Sequence, residues 1–182
     1  MKVLKEENLY SGFLKLDKLL VQLPTGEKIS REIIKKKNTV SIIAINDENE
    51  VYFTKQPRVG AQKLESIELP AGLIENGETP EEAAARELEE ETGCIATEYI
   101  NLQKFVSDPA CCQNCSYIFL AKHAKKVKEL KLDDDEYLES FTIPINTAFE
   151  MVRNGEINDS ASLIALLKLR DCDELYDFYK IK

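Results

Sequence analysis

The sequence predicts an α/β protein in which helices flank a mixed β-sheet, with a small antiparallel sub-sheet at the N-terminus. Strands and helices follow one another without the regular alternation of a doubly wound sheet. A strongly capped helix lies mid-chain, among runs of β-branched residues. The first 38 residues contain a hairpin that looks separate from the rest. We therefore predict two parts: residues 1–38, a β sub-sheet used for dimerisation, and residues 39–182, the main domain.

The elements follow from apolar patterns and turn residues. Apolar and polar residues alternate from residue 13, the turn residues Pro24-Thr25-Gly26 interrupt the run, and a second run continues to residue 35. This pattern predicts the hairpin. Residues 39–45 (TVSIIAI) form a β-branched run, and VYFTKQ returns after a turn. The other predicted elements are strands at 65–69, near 97–106, near 116–122 and near 138–143, and helices after residue 79, near 147–154, near 160–170 and in the C-terminal DELYDFYK.

Charge and composition exclude several classes of function. The 182 residues include 33 acidic and 24 basic side chains, a net charge of −9. Such a surface repels nucleic acid and anionic lipid, so neither partner is expected. No apolar run approaches the roughly 20 residues of a membrane span. Five cysteines without a secretory context predict reduced thiols and a cytoplasmic protein. A single histidine argues against a Ser-His-Asp enzyme and a His-rich metal site.

The predicted helix after Thr79 has clear ends. Thr79 and Glu82 form a capping box, and Pro80 occupies the first helical position. Gly93 provides the stop. Between these ends, Ala84 and Leu88 form a strip that can pack on the sheet.

Three carboxylates of this helix project from one face: Glu87, Glu90 and Glu91, at spacings of three and four residues. Acidic groups late in a helix oppose its dipole, so they are unfavourable without a nearby positive charge. Arg86 can pair with Glu90, four residues on. Oxygen ligands of this kind suit Mg²⁺ or Mn²⁺. The alternative is an ordinary solvated acidic face.

The motif around this helix resembles the Nudix box, G-x5-E-x7-R-E-U-x-E-E-x-G-U. Every fixed position matches, and Cys94 stands at the final aliphatic position. The resemblance implies a Nudix α/β/α sandwich and an enzyme that hydrolyses a nucleoside diphosphate linked to another group. It implies Mg²⁺ as cofactor, with Mn²⁺ possible. The residues that carry the pattern are Gly72, Glu78, Arg86, Glu87, Leu88, Glu90, Glu91 and Gly93.

The resemblance also implies roles. The main metal ligands would be Glu87 and Glu91, joined by Glu90 and the carbonyl of Ala71. Gly72, Glu78 and Arg86 would orient the loop and helix around them.

Residues 13–170 are similar to ADP-ribose pyrophosphatases in an ordered set of features. They are Arg31-Glu32, Lys55-Gln56-Pro57-Arg58, Glu68-Leu69-Pro70-Ala71-Gly72, Pro109, the acidic run 133–136 and the segment 151–157. The resemblance implies a homodimer that cleaves ADP-ribose or a related sugar nucleotide into AMP and a sugar phosphate. The alternatives are another substrate, such as GDP-mannose, or a non-catalytic nucleotide-binding module.

Substrate contacts are predicted on the same basis. Arg58 would bind the diphosphate or terminal ribose with its planar fork, although it could be a plain surface arginine. Glu68 and Pro109 would lie near the substrate, Glu32 near the adenine and Lys36 near phosphate. Lys55 and Pro57 replace an arginine and an aromatic residue of the family pattern.

Glu136 is the predicted general base, since related enzymes keep a loop glutamate there. Asp134 and Glu90 are the alternatives, and an acidic solvated turn is the competing interpretation.

Three cysteines follow Pro109, at positions 111, 112 and 115. One such cluster without a second pair does not predict zinc. Their role stays open, and they make this loop unlike the family's.

Overall fold

The computed structural model describes residues 1–130 and 137–172. Its helices are α1 (Pro80–Thr92), α2 (Ile145–Asn154) and α3 (Ser160–Arg170), with a 3₁₀ turn at Val59–Ala61. Its strands are β1 (Lys2–Ser11), β2 (Lys15–Gln22), β3 (Lys28–Lys35), β4 (Thr39–Ile45), β5 (Glu50–Arg58), β6 (Lys63–Glu68), β7 (Ala71–Leu73), β8 (Cys94–Ile95), β9 (Glu98–Phe105), β10 (Cys112–Gln113), β11 (Ser116–Lys122), β12 (Lys125–Lys126) and β13 (Glu139–Pro144).

The chain divides into two units, each described by itself. The N-terminal unit contains Met1–Asn38 and Phe105–Cys115. The main unit contains Thr39–Lys104 and the chain from Ser116 onward. The segment 105–115 therefore joins the N-terminal unit, which the sequence did not predict.

The N-terminal unit is a sheet of order β1-β2-β3-β10. The predicted hairpin is confirmed, because β2 and β3 pair antiparallel from Lys15–Lys35 to Gln22–Lys28. Gly26 closes its turn at φ +89°, in the left-handed region that favours glycine. The short strand β10 runs parallel to β3. Strand β1 was not predicted, and every one of its residues is exposed.

The main unit has a seven-stranded sheet of order β13-β5-β4-β11-β9, with β6 paired to β5 and β7 to β4. The sheet is mixed, because β11 runs parallel to β4 and β13 antiparallel to β5. Six of the seven residues of β4 are buried, which requires cover on both faces. This arrangement confirms the predicted mixed sheet with helices.

Helix α1 packs on this sheet through Ala83, Ala84 and Leu88, which join a buried cluster with Val40 and Ile42 of β4. Helix α3 also contacts β4 and β11, and it buries Leu166 and Leu169. The two helices thereby fix the backbone around β7 and its neighbours. Among the helices of the described ranges, none is long and apolar enough to cross a membrane.

Predicted and observed elements agree closely within the main unit. The run at 39–45 is β4, and the predictions near 116–122 and 160–170 correspond to β11 and α3. The short pair β8 and β12 was not predicted. The predicted helix in DELYDFYK lies outside the described residues.

Candidate active site

Helix α1 begins and ends as its sequence predicts. The Glu82 amide donates to Thr79 Oγ1 (3.2 Å), and the Thr79 amide donates to Glu82 Oε2 (2.8 Å). Gly93 ends the helix at φ +71° and donates its amide to the Glu89 carbonyl. These caps fix the register of α1, and therefore the direction in which its glutamates project.

Arg86 of α1 donates hydrogen bonds to three carboxylates, those of Glu78, Glu87 and Glu90, and with them forms a charged cluster. Its Nε and Nη2 donate to the two oxygens of Glu78, at 2.8 and 3.0 Å. Its Nη1 donates to Glu87 at 2.8 Å and to Glu90 at 2.9 Å, and Nη2 also donates to the carbonyl of Leu73 at 2.9 Å. The Glu78 hydrogen bonds are the main reason that the pKa of Arg86 rises above its ordinary value. One permanently charged group thus orients three carboxylates.

The backbone of strand β7 also holds two carboxylates of α1, those of Glu87 and Glu91. Glu87 is 9% exposed, and its carboxylate lies directly against Gly72. A Cβ added at Gly72 would stand 1.9 Å from the carboxyl carbon of Glu87, so any other residue at position 72 would displace that carboxylate. Glu91 is 3% exposed and accepts a 2.9 Å hydrogen bond from the amide of Ala71. The glutamates are held in place by backbone as well as by Arg86.

These groups have the chemistry of a site for a hard cation. The three α1 carboxylates and the Ala71 carbonyl supply only oxygen, which Mg²⁺ and Mn²⁺ prefer. Gly72 makes the space that the Glu87 carboxylate fills. The α1 carboxylates do not form a group of three ligand atoms within 4.8 Å of one another. The residue types therefore fit a divalent cation. In this structure the carboxylates of Glu87 and Glu90 are hydrogen-bonded to Arg86.

Arg58 and Glu68 form a second ion pair, on β5 and β6. Arg58 Nε lies 3.1 and 3.0 Å from the two Glu68 oxygens, and Nη2 lies 2.7 Å from Oε2. Glu68 is buried, and its hydrogen bonds are the main cause of the raised pKa of Arg58. The pair engages Nε and Nη2, on one side of the guanidinium.

The start of α3 holds the segment between Glu68 and Ala71. Ser162 is 1% exposed, and its Oγ accepts a 2.9 Å hydrogen bond from the amide of Leu69. Asp159 caps α3 by accepting from the Ser162 amide at 2.9 Å. Its Oδ2 is buried without a hydrogen-bond partner among the residues described, and burial raises the pKa of Asp159. Sequence reasoning missed both residues, although the D-x-x-S spacing is an N-cap signal.

Three predicted substrate contacts belong to the N-terminal unit. Glu32 lies on β3 opposite Lys18 and is exposed, and Lys36 is exposed just beyond that strand. Pro109 is exposed in the segment before β10. The predicted base, Glu136, and its alternative Asp134 lie outside the described residues.

The cysteine segment after Pro109 has a definite geometry. The Cys111 thiol lies 2.9 Å from Asp108 Oδ2 and 3.9 Å from the Cys112 sulfur. Hydrogen bonding to the Asp108 carboxylate raises the pKa of Cys111 to about 12 and, from the other side, lowers that of Asp108. All five cysteines are free thiols. Sequence reasoning counted the cysteines and missed Asp108.

Comparison with known proteins decides the family. A model of the NUDIX domain matches residues 35–166 of this chain. The chain belongs to the Nudix family. The chain is 33% identical to an ADP-ribose pyrophosphatase of Bacillus subtilis (strain 168), over 93% of this chain and 92% of that protein. It is 34% identical to a methanol dehydrogenase activator of Bacillus methanolicus, over 93% and 92%.

A solved structure supports the Nudix fold. The crystal structure of an ADP compounds hydrolase superposes with a TM-score of 0.83 at 23% identity, covering 95% of this chain and 94% of that one. With the family model and the relatives, this match confirms the predicted Nudix fold. The chain is a Nudix pyrophosphatase that resembles ADP-ribose pyrophosphatases.

The structure brings most of the Nudix motif together. The residues joined through Arg86 and β7 are Ala71, Gly72, Glu78, Arg86, Glu87, Glu90 and Glu91. Arg58 and Glu68 form their own pair, linked by Leu69 and Ser162 to the same stretch of backbone. The motif thus has a supporting contact, Ser162, that lies outside it, in the first turn of α3.

Proposed function

We propose that this protein hydrolyses the diphosphate of ADP-ribose, or of a related nucleoside diphosphate sugar, to AMP and a sugar phosphate, and that the reaction requires Mg²⁺ or Mn²⁺. One observation carries the proposal. Two carboxylates, Glu87 and Glu91, are buried at the C-terminal half of a helix and pressed against the backbone of Ala71 and Gly72. Buried negative charge at that end of a helix is unfavourable, and a bound cation beside Arg86 would offset more of that cost.

Glu87, Glu91, Glu90 and the Ala71 carbonyl would hold the cation. When bound, it would neutralise charge on the diphosphate and make a water molecule more acidic. Arg86 maintains the spacing of Glu87 and Glu90 through its Nη1 donors. Glu78 in turn holds Arg86 with both oxygens, so the guanidinium cannot rotate away from the glutamates.

Arg58 is the proposed contact for the diphosphate or terminal ribose. Its side chain is 42% exposed, and the Glu68 pair engages Nε and Nη2. The donors on Nη1 are then directed by a fixed guanidinium plane toward an incoming oxygen. A planar fork held this way suits phosphate better than a mobile lysine does. Glu68 is thus proposed to position Arg58.

The remaining roles are proposed from the family resemblance. Glu136 accepts the proton of the attacking water, with Asp134 or Glu90 as the alternative. Glu32, Lys36 and Pro109 contact the nucleotide.

We also propose a cytoplasmic homodimer whose interface uses residues 1–38. Seven large apolar residues there are exposed, and an apolar surface of this kind is suited to contact with a second copy: Met1, Val3, Leu4, Leu9, Tyr10, Phe13 and Leu14. Sedimentation of the full chain at micromolar concentration tests this. A monomer would contradict it.

Product analysis is the direct test of the reaction. The purified chain is incubated with ADP-ribose, ADP-glucose or GDP-mannose in Mg²⁺, and nucleotide products are separated. We expect AMP from ADP-ribose at the highest kcat/KM, and no turnover in EDTA. Faster release of GMP from GDP-mannose would assign another substrate, and full activity in EDTA would reject the metal mechanism.

A second candidate is activation of a partner enzyme, because the Bacillus methanolicus relative is described as an activator at 34% identity. The complete set of motif carboxylates favours hydrolysis. Absence of hydrolysis with every sugar nucleotide and both metals would favour the activator role instead.

A further inference from the structure

The segment 108–114 contains a cluster of ligand atoms that the proposed reaction does not use. Asp108, Cys111 and Cys112 each offer one atom, and the three atoms lie within 4.8 Å of one another. Among the described residues this is the one group of three His, Cys, Asp or Glu side chains that converges so closely. We propose that it is a binding site for a thiophilic divalent cation, with Zn²⁺ as the natural occupant.

The sulfur–sulfur distance matches zinc coordination. Zinc–sulfur bonds of about 2.3 Å in a tetrahedral arrangement separate two sulfurs by roughly 3.8 Å. The sulfurs of Cys111 and Cys112 are 3.9 Å apart. Asp108 Oδ2 lies 2.9 Å from the Cys111 sulfur, and a small outward shift gives it a zinc-ligand position. Two sulfurs and one oxygen leave the fourth position for water or another oxygen.

The backbone already holds the ligands together. The Cys112 amide donates to the Asp108 carbonyl at 2.9 Å, and the Ala110 amide donates to Asp108 Oδ1 at 3.1 Å. The Cys111 carbonyl accepts from the amide of Ile34 on β3 at 2.7 Å. Little ordering is therefore needed when a cation binds, which favours affinity.

A second feature of the same segment points to a missing polar partner. Asn114 is 7% exposed, and its Oδ1 has no hydrogen-bond partner among the residues of the described ranges. Buried acceptors are nearly always satisfied, by protein, water or an ion. Asn114 follows Cys112 by two residues, so a neutral oxygen donor is available close to the cluster in sequence.

Ligand softness separates this site from the α1 carboxylates. Thiolates select zinc and similar metals, whereas carboxylates alone suit Mg²⁺ and Mn²⁺. Each thiol releases one proton on binding, so one Zn²⁺ joins two thiolates and one carboxylate with release of two protons. Because Cys112 lies on β10, which pairs with β3 over only two residues, the cation would stabilise that pairing.

The test uses the full chain, reduced with a phosphine and freed of metal. Titration with Cd²⁺, a spectroscopic substitute for Zn²⁺, is followed by the ultraviolet charge-transfer band of cadmium thiolates. We expect one equivalent to bind, to be displaced by Zn²⁺ and to be unaffected by excess Mg²⁺. Cys111→Ser and Cys112→Ser should each weaken Cd²⁺ binding by about 100-fold or more, and Asp108→Asn by roughly tenfold.

Cys115→Ser and Cys172→Ser are matched controls, because they remove free thiols outside the cluster. Both should bind Cd²⁺ as the wild type does. Zn²⁺ should also raise the thermal midpoint of the wild type and leave that of Cys112→Ser unchanged, with circular dichroism establishing that the variant is folded. A missing thiolate band, equal binding by Cys111→Ser, or loss of the band in Cys115→Ser would overturn the proposal.

Discussion

Arg86 in the main unit and Lys35 in the N-terminal unit are each shared among several carboxylates, and the two clusters differ in what they hold together. Arg86 and Lys35 are equally exposed, at 31% of the side chain. Lys35 contacts Asp17 Oδ2 at 2.8 Å and also pairs with Glu6. These three residues lie on β3, β2 and β1, so Lys35 joins three strands. Arg86 instead holds three acidic side chains, Glu78, Glu87 and Glu90.

The difference lies in the charge left over. Three carboxylates contact one guanidinium in a partly buried place, and Glu91 is buried nearby. Lys35 has two carboxylates, and Glu6 is 51% exposed, so water screens most of what remains. A similar local pattern therefore joins strands in one unit and, under the proposed function, lies at a cation site in the other.

The largest expected effect comes from removing charge at the Arg86 cluster. Glu91→Gln and Glu87→Gln should each lower kcat by about 10³-fold or more, because each removes negative charge that the proposed cation requires. Steady-state kinetics with ADP-ribose measures this. Glu81→Gln, an exposed change on the same helix, is the control and should leave kcat within about twofold. A Glu91→Gln enzyme within tenfold of wild type would refute the assignment.

Replacing the Arg86 side chain is the next test. Arg86→Lys keeps the charge but loses the fork that contacts Glu78 and Glu87 together. We expect kcat to fall about 10- to 100-fold and the Mg²⁺ concentration for half-maximal activity to rise. Lys35→Arg should change kcat by no more than about twofold. Equal losses in both variants would remove the distinction between the clusters.

A smaller effect is expected where no charge is changed. Ser162→Ala removes the acceptor for the Leu69 amide and leaves that buried donor unsatisfied, which costs about 1–3 kcal/mol of stability. Because Leu69 precedes Ala71, the half-maximal Mg²⁺ concentration should also rise. Ser160→Ala, exposed on the same helix, is the control. If only the thermal midpoint moved, Ser162 would be a packing residue without influence on the site.

The smallest effect concerns the N-terminal cluster and disappears on acidification. Hydrogen bonds from Lys35 and Asn8 hold the pKa of Asp17 below its ordinary 3.8. A carboxylate with a lowered folded-state pKa contributes stability above pH 3.8, and that contribution is lost as pH falls through the folded value. Asp17→Asn should therefore lower the thermal midpoint slightly near neutrality and match the wild type in acid. Glu7→Gln is the control, and a difference that persists in acid would contradict the linkage.

The sequence predicted the main unit well because its signals are local. Thr79, Glu82 and Gly93 mark the ends of α1 in the sequence itself, and the spacing of the glutamates fixes their common face. The run at 39–45 is short and rich in β-branched and apolar residues, which favours a buried strand. The carboxylate cluster followed from these local patterns without knowledge of the tertiary structure.

The parts that were missed depend on contacts that are distant in sequence. Strand β1 has no apolar alternation, since all its residues are exposed and only backbone pairing with β2 makes it a strand. Ser162 bonds to Leu69, ninety-three positions away. Asp108 looked unremarkable because the turn that brings it to Cys111 is set by backbone hydrogen bonds. Periodicity carries no information about such pairs.

The contact between Gly72 and Glu87 also limits how this protein can change over evolution. Any substitution at position 72 adds a Cβ where the Glu87 carboxyl group already lies. Codons for the two positions are therefore not free to drift separately. Alanine at 72 requires the Glu87 side chain to move away or to be shortened, for instance to aspartate, and either change displaces a carboxylate from the place it now occupies. Under selection for the proposed activity, we therefore expect substitutions at position 72 to be accompanied by changes at position 87.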